Sequence, residues 1–159
     1  MLKLNLGCGE DIREGYHNID IRNLPNVIVA DVNDLPYENN SIDEILASDI
    51  YEHISHRKSL ELLQHWSDLL KPGGVLIIRS PCLDYIIQYF MQAKTLEDIK
   101  IGISLLYGDQ DYPENSHYTV CHIKLMSEFL TLVGLEKIEF KMQGHNVIFR
   151  AFKPEIMGG

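Results

Sequence analysis

The amino-terminal segment of the chain predicts a β-strand that ends abruptly in a glycine turn. Leu2–Leu6 is largely apolar and runs directly into Gly7–Gly9. A second β-branched run, His17–Ile21, carries an acid, Asp20, next to its end. Glycines after a strand permit a tight bend and a close approach of the backbone to a ligand. We therefore expect a ligand site at which Asp20 faces the glycine turn.

The rest of the chain shows strands that alternate with helices. A helix is predicted after Ser55, a suitable N-cap, and before the stop signal Lys71–Gly74. Such alternation favours a mainly parallel, doubly wound α/β sheet. The last two strands are too close in sequence for a crossover helix, so they are expected to pair antiparallel at one edge. The predicted strands after the second are 26–31, 41–48, 75–81, 136–142 and 145–153. The predicted helices span 55–70 and 122–134, and the stretch 82–107 is mostly helical in pattern.

Composition limits the partners of the chain. Its 159 residues suffice for one domain with a substantial core, and its formal net charge is −9. An acidic surface without a Lys/Arg cluster is repelled by nucleic acid and by anionic membranes, so neither partner is expected. Cys8, Cys82 and Cys121 lie far apart without a CxxC spacing, which indicates reduced thiols. The sequence shows no leader segment and no long apolar run, which predicts a cytoplasmic protein with a small-molecule or protein partner.

Acids close to the strand ends indicate the kind of ligand. Ligands of open sheets bind outside the carboxyl ends of the strands, which places Gly7–Gly9, Asp20, Asp31, Ser48–His53 and Ser80–Asp84 along one rim. Asp20 can accept two hydrogen bonds from a ribose diol, and Asp31 can accept one from an adenine amino group. The alternative is that the glycines only relieve backbone crowding and that the acids are solvated at strand ends.

The glycine turn does not fit a dinucleotide fingerprint. That motif needs a third glycine where this chain has Ile12, and its acid lies about 20 residues further on, whereas Asp20 follows Gly9 by 11 residues. No clear helix follows the turn, so a pyrophosphate would meet few aligned N–H groups. An adenosine ligand without phosphate fits better, and a nicotinamide enzyme is the least favoured hypothesis.

Several segments occur in an order and spacing typical of one family. They are "LNLGCG" with "NID", then "ADVNDLPYENNSIDEILASDIYEHI", then "LLKPGGVLIIRSP". Over about Leu2–Pro81 the chain resembles the class I S-adenosylmethionine-dependent methyltransferases, especially small cytosolic bacterial members of the methyltransferase-11 type, often associated with saccharide and cell-surface metabolism. The resemblance implies a single Rossmann-like domain over 1–159, with 82–118 as an acceptor-side insertion. It also implies S-adenosyl-L-methionine as cofactor and S-adenosyl-L-homocysteine as product.

The resemblance assigns roles to individual residues. The glycine turn corresponds to the bend beneath the methionine part of the cofactor, Asp20 to the ribose-binding acid, and Asp31 to the start of the adenine-side segment. Glu52-His53 matches the family's "EH" pair beside the transfer site, and "LKPGG" is structural. The implied cofactor-binding residues are Gly7, Cys8, Gly9, Asp20, Ile21, Asp31, Val32, Leu35, Ser48, Asp49 and His53.

Two departures from the family pattern concern the cofactor site. Asn5 stands in the first strand where the family often has an acid, so contact with the amino group of the cofactor is expected to be weaker or rerouted. The usual helix before the first strand is missing, since the strand starts at Leu2. The pocket is therefore expected to be more open, or covered by Cys82–Tyr107 or by a second subunit of a homodimer.

A polar loop between the last two predicted helices supplies the best candidate for a catalytic base. It reads "LYGDQDYPENSHYTV", and related small methyltransferases carry a similar "GGQ…N.H" segment whose histidine corresponds to His117. His53 is the second catalytic candidate. Each histidine has a structural alternative, as a side chain bonded to backbone or as a helix cap. His122, Asp109 and Asp111 lie near His117, but their spacing fits no defined metal motif, so no metal is predicted.

Two functions follow from these patterns. The leading hypothesis is a methyltransferase that transfers a methyl group to a small-molecule acceptor, with a saccharide hydroxyl as the preferred acceptor group. The alternative is a catalytically inactive, methyltransferase-like protein that binds adenosine ligands or serves as an assembly subunit. Asn5 and the missing helix motivate this alternative.

Overall fold

The structure is a computed structural model that describes residues 1–155, and it contains a seven-stranded sheet in the order β3-β2-β1-β4-β5-β7-β6. None of the described helices is long and apolar enough to cross a lipid bilayer. The strands are β1 Lys3–Leu6, β2 His17–Asp20, β3 Ile28–Val29, β4 Ile42–Ser48, β5 Leu70–Pro81, β6 Glu136–Gln143 and β7 Asn146–Phe152. The α-helices are α1 Ser59–Leu69, α2 Leu83–Gln92, α3 Leu96–Tyr107 and α4 Ile123–Leu132.

The sheet is parallel except at one edge. Strands β1 to β5 pair parallel with one another, whereas β7 pairs antiparallel with both β5 and β6. The predicted α/β fold class is therefore confirmed, including the closing antiparallel hairpin. Because β1 to β5 run in the same direction, the loops that follow β1, β2, β3 and β4 emerge at one edge, where a ligand site is expected.

The hydrophobic core packs helices against the sheet. Trp66 on α1, the single tryptophan of the chain, is fully buried, and its Nε1 donates a hydrogen bond to Val32 O at 2.9 Å. Strands β1, β4 and β7 contribute further buried side chains, such as Leu4, Ile45 and Phe149. Helix α1 thereby fixes the segment after β3, which borders the ligand edge of the sheet.

Strand β5 begins earlier than the sequence analysis predicted. The segment Lys71–Gly74 was expected to end the helix before a strand at Val75, but the strand already starts at Leu70. Leu70 pairs with Ile42 of β4, and the glycine segment exchanges backbone hydrogen bonds of 2.9 Å with Lys153. The glycines therefore extend the strand because neighbouring backbone on both sides supplies partners.

The connection between β1 and β2 contains no helix, as the sequence indicated. Asn5 holds this loop in place, because its Nδ2 donates to Asp11 O at 2.8 Å and to Asn18 Oδ1 at 2.9 Å. Asn18 Oδ1 also accepts from Arg13 N at 2.9 Å. Both asparagines are buried. Asn5 therefore has a structural role. It stands at the position where the family often has an acid and where contact with the amino group of the cofactor was expected to be weaker or rerouted.

Candidate active site

A cleft of about 540 Å³ opens at the carboxyl ends of β1, β2, β3 and β4. Its volume lies within the range typical of small-molecule sites, roughly 300–1,000 Å³. The loop between α3 and α4 also forms part of the wall of the cleft. The lining residues are Gly7, Asp20, Ile21, Arg22, Ala30, Asp31, Val32, Asn33, Asp49, Ile50, His53, Ile54, Tyr112, Pro113, Glu114 and Tyr118.

The glycine turn forms the floor of the cleft. Gly7 has a φ of +60°, and a Cβ atom at this position would lie 2.6 Å from Ile50 Cδ1. Gly9 also has a positive φ, +52°, and its N–H donates to Asp20 Oδ2 at 2.9 Å. Both the conformation and the available space therefore require glycine at position 7.

Asp20 is buried at the end of β2, with 5% of its surface exposed. Besides Gly9, Arg22 donates to this carboxylate from its backbone N at 2.9 Å and from Nε at 3.0 Å. Burial opposes ionisation of Asp20, but the hydrogen bonds from Arg22 and Gly9 outweigh it and lower the pKa of the carboxyl. The Arg22 side chain, 46% exposed, thus occupies the place that sequence analysis assigned to a ribose.

The segment after β3, which was predicted from the sequence to form the adenine side, borders the cleft. Asp31 is exposed at the cleft, and its Oδ1 accepts from Asn33 N at 2.9 Å and from Asn33 Nδ2 at 2.7 Å. Val32 is largely buried and lines the cleft. Leu35 does not line it, because the side chain is buried in the core and its N–H donates to His65 Nε2 at 3.0 Å.

The segment after β4 contributes a charged wall. Asp49 adopts a φ of +54° and forms an ion pair with Arg79 of β5. The Ser48 hydroxyl donates to Asp49 Oδ2 at 3.2 Å. Asp49 lines the cleft, whereas Ser48 is not part of the lining.

Two histidines far apart in sequence meet beside the cleft. The rings of His53 and His117 lie edge to face, with centroids 5.1 Å apart. His53 Nδ1 lies 3.1 Å from Ser116 O, and His117 Nδ1 lies 3.2 Å from Leu105 O. A carbonyl oxygen can only accept, so each Nδ1 carries a proton, and in the neutral imidazole Nε2 is then the nitrogen with the free lone pair. Burial and the neighbouring His53 lower the pKa of His117, which favours its neutral form.

Glu52 lies behind this histidine pair and is almost completely buried, with 2% exposed. Ser80 Oγ donates to its Oε2 at 3.0 Å. Burial raises the pKa of Glu52 to about 8. The Glu52 carbonyl accepts from Tyr118 N at 2.8 Å and from Thr119 N at 3.2 Å, which fastens the neighbouring loop to this site.

Residues 108–118, the histidine loop, close one side of the cleft. Gly108 has a φ of +77°, and an added Cβ would collide with Asn115 O and lie 3.2 Å from His117 Cδ2. Tyr112 and Glu114 face the cleft from this loop. Sequence analysis did not assign these two residues or Arg22 to the site, because each is an ordinary polar loop residue without a motif.

The structure brings most of the predicted cofactor residues to one cleft. Gly9 lies next to the lining through its hydrogen bond to Asp20, and His117 lies behind His53. Cys8 is buried under the glycine turn. The predicted residues that line the cleft are Gly7, Asp20, Ile21, Asp31, Val32, Asp49 and His53, whereas Cys8, Gly9, Leu35, Ser48 and His117 do not.

Part of the chain matches a known protein family. The family described as "Methyltransferase domain" matches residues 8–78. No curated protein sequence matches the chain.

Solved structures share the fold at low sequence identity. A SAM-dependent methyltransferase from Archaeoglobus fulgidus has a TM-score of 0.66 at 14% identity, covering 96% of this chain and 86% of its own. An O-methyltransferase family protein from Burkholderia thailandensis has a TM-score of 0.67 at 12% identity, covering 98% and 51%. The cyclase SpnF has a TM-score of 0.62 at 14% identity, covering 97% and 74%. The resemblance seen in the sequence is thereby confirmed: the chain has the fold of the class I S-adenosylmethionine-dependent methyltransferases, and the methyltransferase domain family matches its residues 8–78, slightly less than half of its length.

Proposed function

We propose that the protein binds S-adenosyl-L-methionine and transfers its methyl group to a hydroxyl of a small molecule, with a saccharide as the preferred acceptor. One observation carries this proposal: Gly7, Asp20 and Asp31 bound a single cleft in a chain with a methyltransferase family match. These three residues are the ones that the resemblance assigns to the methionine, ribose and adenine parts of the cofactor.

The chemistry of the cleft fits this cofactor. Gly7 lines the cleft without a side chain, so the methionine part can lie against its backbone, while Ile50 takes the space that a Cβ would fill. Asp20 is held ionised by its hydrogen bonds and can accept both hydroxyls of a ribose. We infer that the ribose replaces the exposed guanidinium of Arg22, while the Gly9 N–H continues to support the carboxylate. Asp31 then faces the adenine amino group.

The transfer itself needs positioning and one proton acceptor. The cofactor supplies a sulfonium methyl: the acceptor oxygen forms a bond to the methyl carbon, and the carbon–sulfur electron pair stays on sulfur. The hydroxyl proton goes to a base, and the imidazoles of His53 and His117 each keep a free nitrogen for it. A positioned base contributes about 10²–10⁴ in rate. Tyr112, Glu114 and Tyr118 add aromatic and polar groups suited to a sugar.

A binding protein without transferase activity is the second candidate. One observation favours it, because Asn5, at the position where the family often has an acid, is committed to the loop after β1. The cyclase SpnF shares the fold, so the fold by itself does not establish methyl transfer.

Titration calorimetry with S-adenosyl-L-methionine and S-adenosyl-L-homocysteine tests the cofactor assignment. Asp20→Asn should weaken binding by about 10–100-fold, which corresponds to roughly 1.5–3 kcal/mol for hydrogen bonds to a charged group. Asp11→Asn is the matched control, because Asp11 also pairs with an arginine two residues later, Arg13, but outside the cleft. Its affinity should stay within about twofold of the wild type. Equal affinity of wild type and Asp20→Asn would refute the assignment of the ribose site.

A panel of saccharide acceptors with labelled cofactor then separates enzyme from binding protein. We expect methylated sugar with the wild type, and a rate loss of about 10²–10⁴ in His117→Ala without a comparable loss of cofactor affinity. Tight cofactor binding without any transferred label across the panel would favour the second candidate.

A further inference from the structure

Glu52, His53 and His117 form a compact cluster at the inner wall of the cleft, with one ligand atom from each residue lying within 4.8 Å of the others. We propose that this cluster binds a divalent first-row transition-metal ion, with Zn²⁺ as the ion to be tested. Two imidazole nitrogens and one carboxylate are a ligand set found in catalytic zinc sites, which leave a further position open. Sequence analysis weighed His117 with its near neighbours and predicted no metal; it did not combine His117 with His53, which lies 64 positions earlier.

The orientation of both histidines supports this proposal. Each Nδ1 donates to a backbone carbonyl, Ser116 O for His53 and Leu105 O for His117. Histidines that bind metals almost always donate their second ring N–H to a carbonyl, a carboxylate or water, which fixes the ring and the tautomer. Both rings are thus fixed with Nε2 available as a ligand.

Glu52 supplies an independent argument. Its carboxylate is buried and accepts a hydrogen bond from the neutral Ser80 hydroxyl, and it forms no ion pair within residues 1–155. A buried carboxylate without a cationic partner is costly, so such a group either keeps its proton or pairs with a cation or a metal ion. A divalent ion between Glu52 and the histidines would displace the proton of this carboxyl group and pair with the carboxylate.

The cluster requires only a small adjustment to hold an ion. Ligand atoms of a tetrahedral zinc site with bonds of about 2.1 Å lie about 3.4 Å apart. The ligand atoms, now within 4.8 Å of one another, therefore have to approach by up to about 1.4 Å, which rotation of the Glu52 carboxylate and small tilts of both rings about their Nδ1 hydrogen bonds can supply. The backbone is already fixed, because Tyr118 N and Thr119 N both donate to the Glu52 carbonyl.

The role of the ion rests on the proposed function. His53 lines the cleft, so the open position of the ion faces the acceptor. An acceptor hydroxyl bound there would have a lowered pKa and would release its proton to solvent before its oxygen attacks the methyl carbon. The two histidines then act as ligands instead of bases.

The test uses metal-free protein, prepared with a chelator, titrated with Zn²⁺ by calorimetry and with Co²⁺ by visible absorption. We expect one ion per chain. Loss of any one ligand, in Glu52→Gln, His53→Ala or His117→Ala, should weaken Zn²⁺ binding by about 100-fold or more. Ser80 only positions Glu52, so Ser80→Ala should weaken Zn²⁺ binding by about tenfold. His56→Ala is the control, because His56 is exposed and outside the cluster, and it should bind as the wild type does.

The outcomes separate the two proposals. Wild-type protein that binds no Zn²⁺, or variants that bind it unchanged, would overturn the metal site, whatever the cofactor does. The two histidine variants decide this point if Glu52→Gln does not fold. Affinity for S-adenosyl-L-methionine is measured in the same metal-free protein, so failure of the proposed function appears there without any change in Zn²⁺ binding.

Discussion

Gly7→Ala is the sharpest test of how the cleft is built. Gly7 has a φ of +60°, which costs an L-residue roughly 1–2 kcal/mol. The added methyl group would also lie 2.6–2.8 Å from three side-chain atoms of Ile50, so the neighbouring segment must move. Overpacking of this kind costs about 1–3 kcal/mol. We expect Gly7→Ala to lower the free energy of unfolding by about 2–5 kcal/mol in total.

Gly15→Ala separates the two contributions. Gly15 has a φ of +79°, but a Cβ atom added there would meet nothing within 4 Å, so this variant should lose only about 1–2 kcal/mol. Urea titration followed by the emission of the buried Trp66 measures both losses. Because Ile50 also lines the cleft, Gly7→Ala should weaken cofactor binding, whereas Gly15→Ala should not.

The contact with Ile50 can be isolated by a double-mutant cycle. Ile50→Ala removes two of the three atoms that the added methyl would meet, so it should make Gly7→Ala less harmful by about 0.5–3 kcal/mol. If Gly7→Ala and Gly15→Ala lose the same stability within about 0.5 kcal/mol, and the cycle shows no coupling, the described packing of the glycine turn is wrong.

Three further predictions concern other parts of the molecule. The lowered pKa of Asp20 means that its ionised form stabilises the fold above its ordinary value of about 3.9. The difference in free energy of unfolding between wild type and Asp20→Asn should therefore be constant above about pH 5 and shrink as pH falls through the folded-state pKa. Urea titration at each pH measures this difference. Trp66→Phe leaves the Val32 carbonyl without its donor and should lower the free energy of unfolding by about 1–3 kcal/mol. Unfolding monitored by circular dichroism measures this loss. Gly108→Ala should displace the histidine loop and weaken Zn²⁺ binding, whereas Gly144→Ala, with open space and a φ of +61°, should leave it unchanged.

Local sequence patterns were sufficient to predict the order of strands and helices. The β-branched runs, the helical spacing around Trp66 and the short gap between the last strands each reflect interactions close in sequence. The start of β5 was missed, because Lys71–Gly74 reads as a stop signal in isolation. Its pairing with Lys153 involves residues about 80 positions away, and no local pattern carries that information.

The part of the candidate site at the carboxyl ends of the parallel strands could be predicted from the sequence. The part that depends on contacts between distant segments of the chain could not. Asp20 and Asp31 are at the cleft because parallel strands place their carboxyl ends together. The contact between His53 and His117 depends on how the histidine loop folds back, through hydrogen bonds from Tyr118 and Thr119 to Glu52. Sequence reasoning therefore named the Glu52-His53 pair and His117, but did not place His117 in contact with that pair.

The pair of Asp20 and Arg22 explains how the cleft can keep a charged group ready for a ligand. An ionised carboxylate this well buried needs partners, and Arg22 supplies them in this structure. The guanidinium is about half exposed, so water screens its attraction and its release costs little. The Gly9 N–H lies on the inner side and can stay bound during an exchange. A ribose therefore has to displace only the solvent-facing guanidinium of Arg22, the weaker part of the network around Asp20. Occupation of Asp20 by Arg22 is thus compatible with cofactor binding.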